Sequence, residues 1–168
     1  RRVLTALDFR YNRPCHGPKK ARDPLAKEKL KAILEVLSSR VAGNHVLYED
    51  ECDIHLLPPL RAMWMKKSKQ VRIPTPGTND RRSIFGALDI RTGKWVYQIF
   101  DRKRKEQFIE FLNHIESLYP TGRIHIILDN YSIHKAKIVQ KWLTSHPRVK
   151  LYYLLCYMPQ LNPVEKIW

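Results

Sequence analysis

Hydrophobic and polar positions repeat along the chain with two periods. Leu25, Leu30, Ile33, Leu34 and Leu37 form an apolar stripe with lysines opposite, the spacing of an amphipathic helix. Asp23 and Pro24 suit its N-cap and first turn, and Gly43-Asn44 ends it near Val41. From His45 to Glu51 the period drops to two, with Val46, Tyr48 and Asp50 on one face and Leu47, Glu49 and Glu51 on the other. Ser83–Ile90 and Trp95–Phe100 are β-rich runs flanking Arg91-Thr92-Gly93-Lys94, a hairpin signature. Lys105–Tyr119 returns to helical spacing with Phe108, Phe111, Leu112, Ile115 and Leu118 inward. Next come an apolar run, Ile124–Leu128, ending abruptly on Asp129, a helical pattern from about His134 to Ser145, and a second apolar run, Val149–Leu155. Asn162-Pro163-Val164-Glu165 reads as another helix start, with Glu165 in its first turn.

Three early strands joined tightly predict an antiparallel meander, because parallel pairing needs a long crossover. The later strands are joined through helices and should be parallel with right-handed crossovers. The expectation is an α/β fold: a ribonuclease-H-like mixed five-stranded sheet flanked by helices, preceded by a basic N-terminal arm and a linker helix. Residues 56–82 interrupt the meander. They are rich in proline and basic side chains (Arg61, Lys66, Lys67, Lys69, Arg72) and include Trp64, which reads as a packing anchor more than a base-stacking platform. The 101–106 run, DRKRKE, reads as solvated.

Charge then narrows the partner. Among 168 residues, 31 Lys+Arg face 16 Asp+Glu, a net charge of +15 that points to a polyanion. Arg10, Arg13, Lys19, Lys20 and Arg22, in a turn-rich segment, form a cationic arm suited to phosphates. No apolar stretch nears the roughly 20 residues of a membrane helix. Cys15, Cys52 and Cys156 are scattered, giving neither a disulfide framework nor a zinc site; reduced thiols in a cytosolic setting are the plain reading. The chain starts with Arg and stops just after a predicted helix start, so both ends read as cut.

The predicted topology gathers three carboxylates: Asp50 on the first strand, Asp129 ending the fourth, and Glu165 on the last helix. Asp50 could instead pair with a lysine, leaving Glu49, Glu51 or Asp53 as the ligand; strand alternation favours Asp50. Three anions in one cleft repel, so they hold a proton or bind a cation. Hard oxygen donors select Mg²⁺ or Mn²⁺, and two such ions about 3.5–4 Å apart suit in-line displacement at phosphorus.

Three blocks carry a specific resemblance: Tyr-Glu-Asp-Glu at 48–51, Leu-Asp-Asn-Tyr-Ser-Ile-His-Lys-Ala at 128–136, and Pro-Gln-Leu-Asn-Pro-Val-Glu-Lys-Ile-Trp at 159–168. Together with Gly86, Ala87, Asp89 and Gly93 they resemble the signature blocks of DDE transposases of the mariner superfamily, in its bacterial insertion-sequence branch. The likeness covers residues 45–168. Leu155-Cys156-Tyr157-Met158 departs from that family's usual Pro-x-Tyr-Ser.

The resemblance implies domains at 1–23 (a basic arm, the end of a helix-turn-helix region and linker), 24–42 (a linker helix) and 43–168 (a C-terminally incomplete catalytic core). It implies Asp50, Asp129 and Glu165 as the catalytic and metal-binding triad with two Mg²⁺ or Mn²⁺ ions. Asn130 and Asn162 would support them. His134 and Lys135 join the candidate DNA contacts, although His134 could equally orient an acid or start a helix. The activity implied is cleavage at transposon ends and 3′-hydroxyl strand transfer into target DNA, by a homodimer or larger assembly in the bacterial cytoplasm, on nucleoid DNA. Its rivals are a non-catalytic DNA-binding derivative and a ribonuclease-H-like nuclease or resolvase.

Overall fold

The computed structural model describes residues 3, 24–39, 43–57, 60, 62–66, 69–155 and 158–168. Arg10, Arg13, Lys19, Lys20, Arg22, Arg61 and Lys67 lie outside them. Five strands form one sheet: β1 (His45–His55), β2 (Arg81–Asp89), β3 (Trp95–Phe100), β4 (Ile124–Leu128) and β5 (Val149–Tyr153), in the order β3-β2-β1-β4-β5. β1–β2 and β2–β3 are antiparallel, and β1–β4 and β4–β5 parallel, as the connection lengths require. Three helices, α1 (Ala26–Ser38), α2 (Lys105–Leu118) and α3 (Lys137–Ser145), flank the sheet. This is the mixed, ribonuclease-H-like arrangement that the sequence predicts.

The period-two pattern of β1 divides the interior into two cores. Leu47 faces Phe85, Ala87, Val96, Phe108, Phe111, Leu112 and Ile115 on the side covered by α2 and α3. Val46 and Tyr48 face Ile33 and Val36 of α1, with Ile127, Leu154 and Val164. Phe108, Phe111, Leu112 and Ile115 lose all exposure to water, about 1.5–3 kcal/mol of apolar transfer for each such side chain.

Several local expectations shift. α1 is shorter at both described ends than the predicted 24–42: Leu25, not Asp23, occupies its N-cap, with no side-chain cap bond. Its inward face is Ile33 and Val36 with partly buried Leu37, while Leu25, Leu30 and Leu34 are exposed. Leu118 is also exposed, and Tyr119 takes the buried place beside it. The expected helix at His134 splits into a 3-10 turn, Ser132–Lys135, and α3, because Ala136 is extended. The last block is a 3-10 turn at Pro163–Lys166, capped by Asn162 Oδ1, which accepts from the Val164 N–H. Residues between β1 and β2 carry no described helix or strand, and Trp64 is fully exposed at 102%, so it is not the packing anchor expected.

Candidate active site

β1 and β4 place the first two carboxylates. Tyr48 lies beside Ile127 in the parallel pair, so two residues further on Asp50, within β1, and Asp129, just past the end of β4, come side by side. Asp50 continues the Val46–Tyr48 face. The final turn packs on that face through buried Val164, and Asn162 Nδ2 donates to the Glu49 carbonyl at 2.8 Å, tying the turn to β1. Glu165 follows on this turn, and Asp50, Asp129 and Glu165 line one cleft with Asn130, Lys135 and Asn162.

Each aspartate is held by named donors. Trp168 Nε1 donates to Asp50 Oδ2 at 2.9 Å. The indole reaches it because Gly86, opposite Asp50 in the β1–β2 ladder, has no side chain: a Cβ there would run into the rings of Trp95 and Trp168, which meet edge to face at 5.3 Å. Asp129 Oδ1 accepts from the Tyr131 N–H at 2.8 Å and faces His134 Nδ1 at 3.4 Å. Asn130 is fixed in turn, its Nδ2 donating to the Leu154 carbonyl and its Oδ1 accepting from Lys135 Nζ at 2.9 Å.

The electrostatics separate the two aspartates. Burial first, then the nearby Glu165 and Glu51 carboxylates, push the Asp50 carboxyl up to about 6 against the opposing Trp168 N–H. For Asp129, burial also acts upward, but hydrogen bonds from His134 and the Tyr131 N–H, with the His134 and Lys103 charges, hold it below the usual carboxylate value. Repulsion gathered on Asp50 is the condition that a bound cation relieves.

Behind the cleft lies a second polar group. Glu49 and Glu51 project from the opposite face of β1 towards His134, which has no exposure to solvent. His134 Nε2 is 2.8 Å from Glu51 Oε1 and 3.8 Å from Glu49 Oε2. Burial works against a charged His134, but bonds to Asp129 and Glu51 and the Glu49 and Glu51 charges outweigh it, pushing the imidazole up to about 10. Glu49, desolvated and beside Glu51, is raised well above the ordinary carboxylate range, and neither of its oxygens has a hydrogen-bond partner among the described residues. Among the described residues this trio alone brings three potential metal-ligand atoms within 4.8 Å of one another.

His134, a candidate DNA contact from its motif position, has no surface to offer DNA. Lys66, Lys69 and Arg72 are exposed on the β1–β2 excursion and are not among the residues that line the cleft. Asp53, another possible ligand, accepts from Ser83 Oγ at 2.6 Å and lies 3.9 Å from Lys103 Nζ. Sequence reasoning overlooked Lys103 and Trp168. Lys103, in the run read as solvated, donates to the Glu51 carbonyl at 3.2 Å and sits over the Tyr131 ring. Nothing in the local pattern marks it, whereas the position of Trp168 one turn beyond Glu165 was a usable signal.

This arrangement matches known proteins along nearly the whole chain. The sequence pattern of the DDE superfamily endonucleases covers residues 45–168. The chain belongs to that family. It is 38% identical over 148 residues to the insertion element IS630 uncharacterized 39 kDa protein of Shigella sonnei, covering 88% of this chain and 43% of that protein. The fold superposes on a Mos1 transposase paired-end complex with left transposon end (TM-score 0.64, 13% identity, 98% of this chain and 52% of that one). It also superposes on the catalytic domain of Mos1 mariner transposase (TM-score 0.57, 14% identity, 90% of this chain and 69% of that one). The chain thus spans about half the length, or less, of the first relatives it matches.

Proposed function

We propose that this DDE-family chain is the catalytic domain of a DNA transposase, which cleaves DNA at transposon ends and transfers the freed 3′-hydroxyl into target DNA. The observation that carries this reading is the meeting of Asp50, Asp129 and Glu165, far apart in sequence, on the lining of one cleft. The proposed organisation is a catalytic core over 43–168, a linker helix before it, and an N-terminal basic arm.

The residues fit a divalent cation: the donors are all carboxylate oxygens, and burial first, then the Glu165 and Glu51 charges, destabilise Asp50 as an anion. Mg²⁺ or Mn²⁺ bound there would lower the cost of deprotonating a water or 3′-hydroxyl and stabilise the leaving oxygen. The chain's own part is to hold the donors still. Trp168 orients Asp50, the Tyr131 N–H and His134 orient Asp129, and Asn162 sets the turn that presents Glu165. Lys135, which lines the cleft and donates to Asn130 Oδ1, would meet a phosphate. Lys66, Lys69 and Arg72, with the N-terminal arm, would grip the DNA backbone irrespective of sequence. Engagement of two ends implies a dimer or larger assembly, the reading that the paired-end relative supports.

The test is an assay with DNA carrying the element's ends and a target plasmid. Joining indicates a transposase, cleavage without joining a nuclease, and binding alone a DNA-binding module. Asp50→Asn, Asp129→Asn and Glu165→Gln should each abolish Mg²⁺-dependent nicking while DNA affinity stays largely intact. The loss should exceed the roughly 10²–10³-fold typical of removing one neutral donor to a transition state. Retained nicking in any one variant removes that residue from the triad.

A further inference from the structure

Buried ionisable groups need a reason, because replacing a buried ion pair with well-packed apolar residues is often neutral or stabilising. Here one imidazole reaches through the sheet margin: Nε2 lies 2.8 Å from Glu51 Oε1 on the core side, and Nδ1 lies 3.4 Å from both Oδ1 and the backbone carbonyl of Asp129 on the cleft side. Both ring nitrogens thus face carboxylate acceptors, a pattern that needs a donor at each. The ring itself is locked. Phe108 lies 4.5 Å away centroid to centroid and packs against it, while the bonds that the His134 carbonyl accepts, from Tyr153 Oη at 3.2 Å and Gln140 Nε2 at 3.4 Å, tie the backbone of the turn and not the ring. Lys103 donates to the Glu51 backbone at 3.2 Å, steadying the far end. Among the described residues, the donors to Asp129 fall on Oδ1, so together they set the rotation of its carboxylate.

We infer that Glu51, acting through His134, is a positioning residue for Asp129, fixing which carboxylate oxygen is presented to a divalent cation in the cleft. The inference rests on the proposed function. It assigns the Glu next to Asp50 a separate task on the opposite face of β1: Asp50 would meet the ion and Glu51 would orient a different ligand from behind. Outer partners of this kind, a carboxylate fixing a histidine that in turn fixes a ligand, typically control metal affinity by about 10–100-fold.

The experiment measures Mn²⁺ affinity by water-proton relaxation, and the Mg²⁺ concentration giving half-maximal nicking, on the full chain and on Glu51→Gln, His134→Gln and Tyr153→Phe. Glu51→Gln retains the size and an acceptor but removes the charge. It should weaken Mn²⁺ binding about 10–100-fold and raise the Mg²⁺ requirement in parallel, with DNA affinity unchanged and cooperative melting retained. His134→Gln should do the same. Tyr153→Phe removes a bond to the same turn without touching the ring, and should leave both readings where they are. Should Glu51→Gln melt early, Glu51→Asp carries the comparison, with weakening smaller than that of His134→Gln.

Unchanged Mn²⁺ affinity in folded Glu51→Gln overturns the inference, as does equal weakening in Tyr153→Phe, which would mean general softening. Loss of a stoichiometric metal from purified Glu51→Gln also overturns it, because Glu49, Glu51 and His134 would then be ligands themselves. A wild-type chain that neither binds Mn²⁺ nor nicks DNA removes the proposed function and this inference together. Wild-type binding with no change in the variants removes the inference alone.

Discussion

β1 contributes two contrasting regions. Its stretch from Val46 to Glu51 is enclosed on both faces, Asp50 and Glu51 meet Trp168 and His134, and the Glu51 carbonyl accepts from Lys103. Beyond His55 the chain leaves the sheet and returns only at Arg81, and along that excursion Leu60, Met63, Trp64, Val71 and Ile73 are exposed beside Lys66, Lys69 and Arg72. The difference matches the work proposed for each. Positioning reacting atoms needs groups fixed to fractions of an ångström, whereas gripping a phosphate backbone needs charge and tolerates freedom.

The largest expected effect sets an interior ring against an exposed one. Phe111→Ala should cost about 3–5 kcal/mol in urea unfolding, since the ring is fully buried in the α2-side core. Trp64→Ala should stay within about 0.5 kcal/mol of wild type. Comparable losses in the two would mean that the excursion is packed in solution and would break the contrast.

Gly86→Val asks how closely the sheet fits around the cleft. Its added atoms would meet the Trp95 and Trp168 rings, and overpacking of this sort costs about 1–3 kcal/mol. The Trp168 bond to Asp50 should break with it, visible as a shift in indole fluorescence and weaker Mn²⁺ binding. A variant with native fluorescence and stability would show that the two indoles leave room beside β2 after all.

The enclosed region was the legible one. The spacing of Phe108, Phe111, Leu112 and Ile115 marked α2 because burial and helical period agree there, and the abrupt step from Leu128 to Asp129 marked the end of a buried strand. Alternation along β1 separated Asp50 from Glu49 and Glu51. It could not say what the latter two face, because His134 arrives from a turn 83 residues away in sequence. Leu30 and Leu34 stayed undecided for the opposite reason: a helical stripe reports amphipathicity, not which part of it finds a partner. Trp64 shows the same limit, since an aromatic side chain in a proline-rich segment carries no local sign of its exposure.

On the excursion, replacing Lys66, Lys69 and Arg72 with Ala should weaken DNA binding uniformly across sequences. The salt slope should fall by about one for each phosphate that these cations neutralise in the wild type, read from binding isotherms over a salt series. Stability should not move. An unchanged slope would place the DNA elsewhere and leave the excursion without its proposed task.

The smallest effect lies back in the sheet, at His125 of β4. Its Nδ1 is 3.0 Å from Tyr152 Oη, and burial first, then the Lys150, Arg123 and Arg91 charges, lower its imidazole below the ordinary value of 6.5. A depressed histidine makes the unfolded chain the better proton acceptor, so stability should hold above pH 6.5 and decline as pH falls from there to the folded value, then level off. His125→Gln should remove that part of the decline, seen as a flatter urea midpoint against pH than wild type gives. Parallel curves for the two proteins would mean that water reaches this strand as freely as it reaches the excursion, which would confine the enclosed region to the neighbourhood of the carboxylates.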